Sequence, residues 1–350
     1  PYSPLVVIGL WLLAVAAVWL LAERVVNTSK RAKWGALSLL AACIAAIAAA
    51  LVVTDPLAVN VDRWSALQYF IGGLFDGIYP YGIHTHVCET NFPSPFPLWQ
   101  YLHIPFYLLG DVGLSLVLFI VLLVFTVRWF TRSWGVTFRL TLLLALSPAY
   151  WWEVMVRSDG LSNALAVFCL IMFMQRKNIS FSNNFAAASV LCGLAASTRL
   201  SAIIPMAIYC GRSFLVDTTL KRKFFSLLII IATVFFFFAP YVFWDTETWV
   251  FFSRNPLMSQ TSTGSPVVLL IMACAALWLA LRYNRDFARF ASSTSVFIFF
   301  FFLTSIVSNH LANSPDISWM EDADFDISYL SLSLPYSLYS LATVKADNTY

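Results

Sequence analysis

Four arginines and two aspartates stand beside apolar runs in this 350-residue chain, as Asp62-Arg63, Arg157-Ser158-Asp159, Arg199 and Arg254. A carboxylate next to a guanidinium suits two kinds of chemistry. The acid can take a proton from a hydroxyl, as general-base catalysis requires. The guanidinium can grip a phosphate through two parallel hydrogen bonds. Ionisable groups at the edge of hydrocarbon are costly to place and mark functional positions. Each also has a plainer role. Asp62 can cap a helix expected over 65–75, Ser158 or Asp159 can cap the run that follows them, and Arg199 can reach out of an apolar surface with its charged tip.

A second group lies in the polar stretch between residues 54 and 111. His84-Thr85-His86 with Glu89 has the residue types of a metal site, but zinc needs further placed protein ligands and the sequence supplies none nearby. His84, His86 and Glu89 are therefore read as polar substrate contacts, together with Tyr81 and Asp159. No resident metal is expected, and no other cofactor, a divalent cation included. A Gly-rich phosphate loop is missing, which speaks against a nucleotide-sugar substrate. The acidic run Glu321-Asp322-Ala323-Asp324-Phe325-Asp326 reads as a solvated loop.

The elements that must position these groups follow from composition. Hydrophobic residues make up 60% of the chain and charged residues 11%, against about 25% charged in an average soluble domain. Mean hydropathy is +0.78. In lipid every backbone polar group must be satisfied internally, so such a chain is helical or a closed barrel, and its long uninterrupted apolar runs exclude the barrel. The expected class is all-α, a polytopic transmembrane protein with about eleven spans. These fall at 5–22, 35–53, 112–130, 137–156, 161–175, 184–198, 201–216, 224–243, 266–283, 292–308 and 328–344. Residues 98–109 are too short to cross and read as a helix in the interface. The helix after Asp62, with Trp64, Leu67, Phe70 and Ile71, reads as amphipathic and lying along the membrane.

Lys and Arg collect on alternate loops, which sets the orientation. Residues 24–33, 128–139, 176–177, 212–223 and 282–289 fall on the cytoplasmic side. The long loop 54–111, the loops 244–265 and 309–327, and the turns at 157–160 and 199–200 face outward. All candidate chemistry is then external, periplasmic or lumenal, and the chain 1–350 is one domain in a bacterial inner membrane or its equivalent. The net charge of +3 follows from that bias. No basic run interleaved with aromatics points to nucleic acid.

In this order the segments resemble the GT-C superfamily of integral-membrane glycosyltransferases, nearest to its polyprenol-phosphate-mannose-dependent mannosyltransferase branch. Asp62 followed by Leu74–Tyr81 is similar to the family's Asp, helix, Gly-x-x-Pro-Tyr pattern. The stretch 91–110 resembles its Pro-rich turn and interfacial helix. Arg157-Ser158-Asp159-Gly160 with Asn163, the run Gly193–Arg199, and Ser314-Pro315 before Trp319 match later segments. The chain departs from the family at Ser328-Tyr329, where Arg-Tyr often opens the last span.

The resemblance implies a function. Asp62 would act as base on an acceptor hydroxyl, and Arg63, Arg157, Arg199 and Arg254 would hold the phosphate of a polyprenyl-phosphate-linked sugar donor. A hexose, mannose by the branch, would pass with inversion to a glycolipid, glycan or protein acceptor at the bilayer surface. A transporter or flippase of a lipid-linked sugar is the alternative. Carriers tend to show internal repeats and mid-membrane charges, whereas here the polar residues sit at span ends on one face.

Overall fold

The computed structural model describes residues 4–25, 28–250, 255–261, 265–283, 286–313 and 327–344. It is all-helical, with no strand among the described residues. Sixteen α-helices run in order among the described residues. The first eight are α1 (Pro4–Val25), α2 (Ser29–Val53), α3 (Arg63–Phe75), α4 (Pro97–Leu108), α5 (Ser115–Thr131), α6 (Trp134–Ala145), α7 (Pro148–Met155) and α8 (Asp159–Arg176). The rest are α9 (Phe185–Ala196), α10 (Ile203–Leu215), α11 (Leu220–Trp244), α12 (Thr246–Val250), α13 (Pro256–Thr261), α14 (Pro266–Arg282), α15 (Phe287–Asn313) and α16 (Leu334–Thr343).

Among the described residues four helices are long and apolar enough to cross a membrane: Ser29–Val53, Val112–Thr131, Leu220–Trp244 and Phe287–Ser308. They are compatible with an integral membrane protein. Others are shorter than expected from the apolar runs. Helices α6 and α9 have 12 residues each, a rise of about 18 Å, and a bilayer's hydrocarbon is about 30 Å thick. The run expected over 137–156 is broken in two because Ser147 caps a new helix at Tyr150 N and Pro148 takes its first position. The last run begins as the 3-10 turn Ile327–Ser333, and Pro335 then opens α16.

Two short helices set the stage for the polar residues. The helix after Asp62 turns its apolar stripe to protein and not to lipid. Its apolar stripe of Leu67, Phe70 and Ile71 is fully buried in protein, and α4 is hydrogen-bonded to it through Gln100 Nε2 and Ala66 O (3.2 Å). An amphipathic face reads alike whether it meets lipid or protein. The helix α4 is two-sided: Trp99, Gln100 and His103 are buried while Leu102, Leu108 and Leu109 are exposed. An aromatic cluster holds the first loop to the bundle. Tyr81 lies edge-on to Phe70 (4.8 Å) and Tyr241 (5.3 Å).

Candidate functional site

The residues singled out from sequence divide into two groups by where their side chains go. The first group surrounds Asp159. This acid opens α8, just past Ser158, whose hydroxyl caps the helix by accepting from Leu161 N. Asp159 Oδ2 accepts from Arg199 Nη1, and Asp159 Oδ1 lies 3.9 Å from Arg63 Nη1 without a hydrogen bond among the described residues. All three are buried, with Asp159 and Arg199 each 2% exposed and Arg63 6%. Arg63 also donates from Nη2 to Ser328 Oγ (3.3 Å) and stacks over Tyr329, its guanidinium carbon 4.7 Å from the ring centre. Two cations therefore share one buried carboxylate. Guanidinium groups are the side chains best matched to a phosphate.

Asp62 adjoins this cluster through the backbone. It precedes α3 but makes no side-chain cap to that helix; instead its Oδ2 accepts from Asn91 Nδ2 at 3.0 Å. It is half-buried and next in the chain to Arg63. Asn91 is held in turn, since its carbonyl accepts from Thr85 N (2.8 Å) and its N–H reaches Cys88 O (3.1 Å). The loop around it is clamped by His86, whose Nδ1 and Nε2 meet Ser65 Oγ (2.7 Å) and Val59 O (3.0 Å). His84 packs on Phe92 at 4.7 Å, and Glu89 is exposed. So His86 secures the loop and neither histidine forms part of a metal cluster; among the described residues no group of three or more His, Cys, Asp or Glu could hold one.

The same loop is stapled to the turn that carries Arg199. Phe96 N donates to Thr198 O (3.0 Å) and Leu98 N to Ser197 O (3.2 Å). Gln260 bridges from α13, accepting from Leu200 N (2.8 Å) and donating to Ser94 O. Comparison with known proteins finds no match. No family model, curated protein or solved structure aligns with this chain. The site must be judged on its own geometry.

The second group gathers on Arg157, which the sequence placed with the phosphate ligands. Its backbone is left-handed (φ 50°), a conformation that costs an L-residue about 1–2 kcal/mol. Arg157 N bonds Val154 O and Ser158 N bonds Glu153 O (2.8 Å), the Schellman ending in which glycine normally takes the left-handed place. The side chain explains the exception. Its Nη2 donates to Leu51 O (2.7 Å) and Thr54 O (3.2 Å), capping the end of α2, and its Nε faces Asp111 Oδ2 at 3.1 Å. Asp111 is fixed by Trp64 Nε1 (3.1 Å) and by Gly113 N (2.8 Å). Burial pulls the Arg157 pKa below the ordinary arginine value, opposed by Asp111 and Asp55. Nη2 is committed to backbone and the charge is paired with Asp111, while Nε and Nη1 make no hydrogen bond among the described residues, so Arg157 anchors the end of α2.

Tyr81 is reassigned from substrate contact to core. It is 1% exposed and its hydroxyl donates to Pro95 O (3.0 Å). Burial pushes its pKa well above the ordinary tyrosine value. Arg254, the run Glu321–Asp326 and the segment Ser314–Trp319 lie outside the described residues. Sequence reasoning missed Asn91, Gln260 and the roles of Ser328 and Tyr329. The last two stand where the resemblance expected an Arg-Tyr pair, and that mismatch was the one signal pointing at them.

Proposed function

We propose that this chain is a membrane-embedded glycosyltransferase that uses a polyprenyl-phosphate sugar and crosses the bilayer about eleven times, with the Asp159 cluster on the face opposite its basic loops. One observation carries the reading. Arg63, Asp159 and Arg199, from three distant stretches, meet where two buried cations share one carboxylate, and the half-buried carboxylate of Asp62, held by Asn91, adjoins Arg63 in the chain. The donor phosphate binds against Arg199 and Arg63, whose charge balances the negative charge that grows on the departing phosphate. Asp62 takes the acceptor hydroxyl's proton. The new bond from acceptor oxygen to the anomeric carbon forms as the bond to phosphate oxygen breaks, which inverts that carbon, and the proton passes from Asp62 to water. Asn91 orients the carboxylate for this step. A hexose, mannose first among them, is the transferred group, and the acceptor is a glycolipid, glycan or protein hydroxyl.

The test is direct. Purified protein is incubated with polyprenyl phosphate carrying labelled mannose and with a membrane extract. The expected result is label in new glycoconjugates with loss of the donor. Label that crosses the bilayer of sealed vesicles still attached to its lipid would show the carrier instead.

A further inference from the structure

Away from the polar cluster, four helices line an open apolar seam. They form two tightly joined pairs. In the α9–α11 pair, Gly193 lets the backbones approach so closely that a Cβ there would stand 2.6 Å from Thr233 Cβ. In the α10–α14 pair, Gly211 does the same against Ala280 at 2.7 Å. Between the pairs runs a cavity of about 510 Å³. Ile203, Met206, Cys210 and Phe214 line it at helical spacing, so it follows the full length of α10, about 18 Å. At one end Phe214 stands edge-on to Phe181 at 5.0 Å. The other end reaches Ala196 and Ile203, which flank Arg199 in the chain.

Protein interiors hold few voids larger than a water molecule, and a water needs two to four polar partners. The lining has neither charge nor hydrogen-bonding side chain apart from the thiols of Cys192 and Cys210. Hydrocarbon is the filling that fits. We propose that the seam binds one acyl chain of a bilayer phospholipid, which holds the two helix pairs together and steadies the turn carrying Arg199. The headgroup stays outside, because no charged residue lines the seam to receive it. This rests on the helices being membrane-embedded and is independent of sugar transfer.

Native mass spectrometry of the protein in mild detergent tests it. The wild-type protein is expected to retain phospholipid, and Ala207→Phe, which fills the seam, is expected to lose it. Val267→Phe, on the exposed face of α14, and Arg199→Ala should both keep it. Added phosphatidylglycerol and phosphatidylcholine should each raise the wild-type melting temperature by about 2–4 °C and slow maleimide labelling of Cys192 several-fold, with exposed Cys274 unaffected. These wild-type measurements stand even if Ala207→Phe fails to fold. A wild-type protein without retained phospholipid, unmoved by either lipid, would overturn the proposal. So would retention of polyprenyl phosphate alone that is lost in Arg199→Ala, which would give the seam to the donor.

Discussion

Arg157 and Arg199 are both buried, both face an aspartate and both stand at turns that the sequence assigned to one face. Their hydrogen bonds separate them. Arg157 gives Nη2 to two backbone carbonyls at the end of α2 and pairs its charge with Asp111, an acid that Trp64 fixes, while its Nε and Nη1 make no hydrogen bond among the described residues. Arg199 shares Asp159 with Arg63, and one oxygen of that acid has no hydrogen bond among the described residues. An arginine beside an acid is therefore no evidence of a binding site until its donors are accounted for. The contact between two arginines and one acid lies at Asp159, and the strain lies at Arg157.

The largest expected effect comes from breaking the Asp159 cluster. Asp159→Ala leaves two buried guanidiniums facing each other, and removing one partner of a buried pair costs about 3–5 kcal/mol. Thermal melts should show a protein near the limit of folding. A melting temperature close to wild type would mean that the two arginines find other partners and that the cluster is looser than its geometry.

The second comparison uses His103, which bonds Trp99 O (2.8 Å) and Ser115 Oγ (3.1 Å) and feels the Asp159 charge. Burial lowers its pKa to about 4 from an ordinary 6.5. The folded form thus disfavours the proton, so this contribution is complete above pH 6.5 and is lost as pH falls from there toward 4. That amounts to roughly 3 kcal/mol. Stability measured between pH 7.5 and 4.5 should fall steeply in the wild type and less in His103→Gln; equal slopes would show that this histidine does not report on the cluster.

The smallest effect isolates strain at Arg157. Arg157→Gly and Arg157→Ala lose the same guanidinium, but only glycine relaxes in the left-handed position. The glycine variant should be the more stable of the two by about 1–2 kcal/mol, while both fall below wild type. If alanine were the better tolerated, the turn must be able to reopen.

How far these features could be read in advance varies with the range of the contacts. Composition gave the helical class because it needs no knowledge of partners. The break at Pro148 was visible as a proline with a capping serine before it, yet hydropathy averaging passed over it. The α3 stripe was seen but given to lipid, since Leu67, Phe70 and Ile71 look the same against either neighbour. Asp62, Arg63, Asp159 and Arg199 were named from their places beside apolar runs. The anchor was not foreseen, because Arg157 meets Leu51 and Asp111 across 106 and 46 positions of chain. Nothing local distinguishes a guanidinium bound to backbone from one awaiting a phosphate.

The central claim is that the carboxylate of Asp62 does the chemistry beside the charged cluster. The most direct measurement is the rate of labelled mannose transfer from polyprenyl phosphate by wild type, Asp62→Asn and Asp62→Glu, with donor binding and melting temperature followed in parallel. General-base catalysis contributes about 100- to 10,000-fold, so Asp62→Asn should fall at least 100-fold while donor binding and melting temperature hold. Asp62→Glu should recover little, since a displacement of about 1 Å costs about 100-fold in a positioned site. Transfer at the wild-type rate by Asp62→Asn would contradict the account and move the base elsewhere.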